Sequence, residues 1–125
     1  MNLEVFSTIY EVWREVKKEF RRELREKGIR RARLPHLAVL HDTDGAVAYY
    51  HVKTNTIVVS AKKIEEIAKR WQFDARCVAK SILYHELAHY YYTKHEKIFE
   101  DYSNEEREAR AWEFVALTTC LDEKF

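Results

Sequence analysis

Val5, Phe6, Ile9, Trp13, Val16, Phe20 and Leu24 recur at steps of three and four, the period of a helix with one buried stripe. A stripe that long cannot face water, so the chain that follows has to supply a surface to cover it. The spacing predicts a helix from Asn2 to about Lys27, with Gly28 placed to end it.

At 125 residues the covering surface belongs to the same domain, so residues 1–125 are read as one domain with one core. Hydrophobic residues at 46% supply enough apolar area to offset chain entropy. A formal net charge of +1 argues against a wholesale nucleic-acid or membrane binder, local charge being another matter. No apolar run approaches the roughly 20 residues of a membrane span, and no charged-then-apolar leader opens the sequence, so the expectation is a soluble, cytoplasmic protein. Cys77 and Cys120 fit no C-x-x-C pattern and read as two buried thiols, with a disulfide between them possible but not indicated. Two Gly, one Pro and abundant Glu, Lys and Arg resemble thermophile usage.

Three strands follow the first helix: Leu37 to Leu40, then two within Ala46 to Ser60, with Asp42-Thr43-Asp44-Gly45 as a turn and Thr56 to Val59 as the last strand. Helices are expected over Ala61–Trp71, over Ala75 to about Thr93 after an Asp74 cap, and from about Glu105 to Leu121. The fold class is α+β: a small three-stranded sheet packed with an N-terminal helix, a central helix and a C-terminal helix.

The central helix carries His85-Glu86-Leu87-Ala88-His89. Residues four apart share a helix face, so both imidazoles can reach one tetrahedral zinc while Glu86 lies beside it as a general base. Ile82, Leu83, Tyr84, Leu87, Ala88 and Tyr90 are uncharged, as a buried active-site helix requires. Glu86 would take a proton from water activated by the metal and hand it to a leaving amine.

A third ligand has two sources. His95 stands six residues after His89, but Tyr92 occupies the position where a glycine would turn the chain back, and the only methionine is Met1, so a helix that simply continues carries His95 away. The alternative is a glutamate of the last helix, with Glu105, Glu106, Glu108 and Glu113 as the candidates. Glu108 has Ala111, Trp112 and Val115 at three, four and seven residues on and ranks first; Glu105, with Ala109, Trp112 and Ala116, is nearly as well placed. Glu106, followed at four and seven by Arg110 and Glu113, is disfavoured.

His85-Glu86-x-x-His89, 18 intervening residues and Glu108 resemble the pattern of gluzincin-type zinc metallopeptidases, and the size and element order are similar to those of the archaeal minigluzincins. The resemblance implies zinc on His85, His89 and Glu108, a peptide or protein substrate paired with a sheet edge, and latency imposed by a terminal segment. The tail Leu121-Asp122-Glu123-Lys124-Phe125 suits that last role. Trp112 departs from the pattern, since related zincins often place there an Asp or Asn that orients a histidine.

Tyr90, Tyr91, Tyr92 and Tyr102 are mostly packing residues, with an oxyanion donor among them the alternative. His36, His41 and His51 lack ligand spacing. Residues 17–33 hold nine basic residues against Glu19, Glu23 and Glu26; the bland reading is a solvated helix face with glutamate partners, the functional one weak contact with nucleic-acid phosphates. A peptidase, a nucleic-acid-associated regulatory protein and a zinc-bound but catalytically idle module all remain open.

Overall fold

The computed structural model describes residues 3–123, and in it the apolar stripe occupies a single helix. α1 (Leu3–Glu26) buries Val5, Ile9, Val12, Trp13, Val16, Phe20 and Leu24. Gly28, at φ 87°, ends it in the left-handed conformation that a side chain would resist, and the Ile29 N–H returns to the Leu24 carbonyl at 2.8 Å.

β1 (His36–Leu40), β2 (Ala48–His51) and β3 (Thr56–Ser60) form one sheet in the order β1-β3-β2. β1 runs parallel and β2 antiparallel to β3, which explains why Ile57, Val58 and Val59 form a continuous buried run in the middle strand. Asn55 takes φ 50° in the β2–β3 turn and accepts the Tyr50 hydroxyl at 2.7 Å. β2 is left with one unpaired edge.

Ser60 caps α2 (Ala61–Trp71) by accepting the Lys63 N–H, and Asp74 caps α3 (Ala75–Lys94) by accepting that of Arg76. α4 (Tyr102–Asp122) begins three residues earlier than its apolar period suggests, because Asp101 is the cap and accepts the Ser103 N–H. α3 is the centre of the molecule, with α1 and α4 packed against it and β2 beside it. The architecture is the expected α+β one: a mixed three-stranded sheet with four helices.

The cysteines are not free thiols. Cys77 near the start of α3 and Cys120 near the end of α4 are joined in a disulfide, their Cα atoms 5.5 Å apart. The antiparallel packing of α3 and α4 creates that proximity, and a separation of 43 residues carried no local pattern to announce it. Among the described residues, no helix is long and apolar enough to cross a membrane.

Candidate metal centre

α3 is buried on nearly every side, so the polar side chains His85, Glu86 and His89 stand out. His85 and His89, one turn apart, have ring centroids 5.3 Å apart. Glu86 is 6% exposed; burial pushes its carboxyl up to about 7, the histidine charges opposing that shift and the nearby Glu106 and Glu113 adding to it.

α4 lays carboxylates across these rings. Glu106 Oε1 lies 2.6 Å from His85 Nε2 and 3.0 Å from His89 Nε2. On the far side of each ring stands another acid: His85 Nδ1 is 2.6 Å from Glu113 Oε1, and His89 Nδ1 is 3.3 Å from Glu105 Oε2. Glu113 is at hydrogen-bond distance from His85 Nδ1, Glu105 is at ion-pair distance from His89 Nδ1, and both Nε2 atoms turn towards Glu106 Oε1. Burial works to lower the His85 pKa but is outweighed by the Glu113 hydrogen bond and by the charges of Glu86, Glu106 and Glu113, so the net shift is upward. Glu106 is likewise penalised by burial, yet its histidine partners hold its carboxyl below the usual range.

His85, His89 and Glu106 offer ligand atoms that all lie within 4.8 Å of one another, a group that could hold a metal ion. Two imidazole lone pairs and a carboxylate oxygen aimed at one point repel unless a proton or cation sits among them, so the donor set fits a divalent ion.

Glu106 takes the place expected of Glu108. Glu108 instead accepts from the Tyr92 hydroxyl at 3.3 Å, on the side of α4 where Trp112 packs against Phe20, Tyr91 and Tyr92. The apolar companions that favoured Glu108 mark the core-facing flank, whereas the histidines open on a polar one. Arg110 and Glu113, the companions that counted against Glu106, line that polar flank. Trp112 therefore has a packing role, and the acid behind His85 sits seven residues after Glu106. Glu105, the other candidate, stands behind His89 and not at the point of convergence. His95 caps α3, and its Nε2 meets the Tyr90 hydroxyl at 2.9 Å, away from the histidine pair. His51 is engaged with Thr54 in the β2–β3 turn.

The histidines, Glu86 and Glu106 sit in a cleft of about 630 Å³. One wall is β2 with its approach, residues 46–50 and Val52; the other is α4, with Tyr102, Arg110 and Glu113. Tyr102 stacks flat on the His89 ring at 5.4 Å, so it alone of the four tyrosines singled out reaches the cleft. Lys124 and Phe125, the end of the tail expected to block the site, lie outside the described residues. Glu123 borders a separate small pocket with Glu15, Arg76 and Lys80.

No protein-family model, no curated protein and no solved structure matches this chain.

Proposed function

We propose that the protein is a zinc-dependent endopeptidase, with His85, His89 and Glu106 holding the metal and Glu86 acting as general base. One observation carries the reading: both Nε2 atoms and Glu106 Oε1 converge beside a buried carboxylate in a cleft bordered by an unpaired strand edge. Zinc bound there supplies Lewis acidity, polarising a scissile carbonyl and acidifying water.

The chain's own residues would do the rest. The free edge of β2 offers main-chain donors and acceptors to an extended peptide laid along the cleft. Glu86 accepts the proton of the attacking water and delivers it to the leaving amine; its burial raises its proton affinity towards what that exchange requires. Tyr102, hydroxyl-bearing and stacked on His89, is the candidate donor to the developing oxyanion. With zinc on Nε2, Glu113 would accept the His85 Nδ1–H and Glu105 would stand behind the His89 ring.

The test is metal content and cleavage of an unstructured protein substrate by the parent, Glu86→Gln and Glu106→Ala. The reading expects one zinc per chain and cleavage in the parent, zinc without cleavage in Glu86→Gln, and neither in Glu106→Ala. Zinc in a parent that cleaves nothing would leave an idle binding module, and a zinc-free parent would remove the reading altogether.

A further inference from the structure

Of the three glutamates in the basic segment, Glu19 is drawn away to Lys80 of α3, and among the described residues no ion pair involves Glu23 or Glu26. α1 turns Glu11, Glu15 and Glu19 towards α3, where Arg76 takes Glu11 and Glu15 at 2.9 and 3.0 Å and Lys80 takes Glu19 at 2.8 Å. Arg14, Lys18, Arg21 and Arg25 follow one another at steps of four, three and four on another face of the same helix. Among the described residues, no ion pair is formed by Arg21, Arg25 or Arg30.

Gly28 adds the third guanidinium. By reversing the chain it brings Arg30 back beside Arg21 and Arg25, around a pocket of about 200 Å³ floored by Leu24, Ile29 and Ala32. The Leu24 and Arg25 carbonyls at this helix end are capped by the Ile29 and Gly28 N–H groups, so uncapped acceptors do not offset the cations there. Residues 17–33 carry a net charge of +6 in a chain of +1, which leaves −5 for the remainder. Arg21, Arg25 and Arg30 line one pocket, and none of them lines the cleft of the acidic candidate metal centre.

We infer that this face binds the phosphodiester backbone of nucleic acid, with Arg21, Arg25 and Arg30 taking one phosphate and the stripe back to Arg14 continuing along the strand. The stripe spans about 16 Å of helix, long enough for more than one phosphate. Guanidinium forks match phosphate oxygens in pairs, which ammonium groups do not. An anionic membrane is the weaker fit: the apolar stripe of α1 is buried within the protein, which leaves little to insert between lipids. Contacts of this kind read no base, so binding is independent of sequence. The inference does not depend on the metal centre.

Fluorescence anisotropy with a labelled mixed-sequence DNA duplex, titrated across salt, tests it. The parent binds with a steep salt dependence, and Arg21→Ala/Arg25→Ala/Arg30→Ala reduces the slope of log K against log salt by about 0.9, the share of the one phosphate that the three arginines hold. A triple variant at the exposed Lys53, Lys94 and Lys97, all changed to Ala, removes the same charge elsewhere and retains the parent's slope. Circular dichroism confirms that both variants are folded. The inference is overturned if the parent shows no binding, if both variants weaken equally, or if phosphatidylglycerol vesicles are bound and the duplex is not.

Discussion

α3 and α4 both serve the candidate metal centre but are held in opposite ways. α3 buries twelve of its residues, His89 and Glu86 among them, so the core itself fixes where the imidazoles point. α4 buries only Ala109 and Ala116, leaves Phe114 and Val115 exposed, and packs chiefly against α3. Its carboxylates are placed by a disulfide at one end, by side-chain contacts with the histidines, and by Trp112 packed against Phe20, Tyr91 and Tyr92. Half of the site is thus built on a rigid wall, and the other half is drawn onto it.

The sharpest test of this asymmetry is a pair of truncations. Leu87 on α3 is fully buried, so Leu87→Ala should cost about 2–5 kcal/mol of unfolding free energy. Phe114 on α4 is a larger side chain but 67% exposed, so Phe114→Ala should stay within about 0.5 kcal/mol. Urea unfolding measures both. A Phe114 variant as damaged as the Leu87 one would mean that α4 is bound by contacts beyond those described.

Removing the tether comes next. Cys77→Ala/Cys120→Ala opens a loop of 43 residues and should lower stability by about 2–4 kcal/mol. Hydrogen exchange should locate the loosening in α4 and not in α3, and on the proposed reading added zinc should restore part of the protection, since the three ligands come together only in the assembled site. Uniform loss of protection across both helices would refute the asymmetry.

The same contrast explains what the sequence made legible. α1, the three strands and α3 follow from apolar periods and caps, because in each the core dictates the pattern: Val5 to Leu24, Ile57 to Val59, the Asp74 cap. His85 and His89 were legible from their four-residue spacing among the uncharged neighbours Ile82, Leu83, Tyr84, Leu87, Ala88 and Tyr90. α4 misled because its functional face is neither core nor open solvent. Ranking its glutamates by apolar neighbours selected Glu108, which faces Tyr92, while Glu106, Arg110 and Glu113 were discounted as a charged row. A carboxylate seven residues beyond another, with two histidines to satisfy, was the signal for the Nδ1 partner. The disulfide had no such signal, since only the helix packing brings Cys77 to Cys120.

If α4 is drawn onto the histidines, the acids behind them should tune metal affinity without deciding the fold. Glu113→Ala should weaken zinc binding roughly 10- to 100-fold, with little change in the circular dichroism spectrum. Glu105→Ala should do less, because its contact with His89 Nδ1 is 3.3 Å against 2.6 Å for Glu113 and His85. Competition with a chromogenic chelator gives both constants. Equal and small effects would mean that ring orientation comes from the α3 core alone.

The smallest effect belongs to the far end of α3, where the rigid helix stops. The Tyr90 hydroxyl donates to the Arg33 carbonyl at 2.8 Å, so His95 Nε2 must be the donor in its own contact with Tyr90. Burial lowers the His95 pKa, and its ring faces Tyr90 and Tyr91, with Lys27 over the latter and no acid in direct contact. The unfolded chain therefore binds this proton more readily than the folded one. Its contribution to stability is complete above the unfolded value near 6.5 and fades as pH falls through the lower folded value. His95→Gln, which can donate in place of the imidazole, should flatten that part of the stability profile between neutral and mildly acidic pH. An unchanged acid slope would show that His95 is open to water, and that the ordered part of α3 ends a turn earlier than its cap.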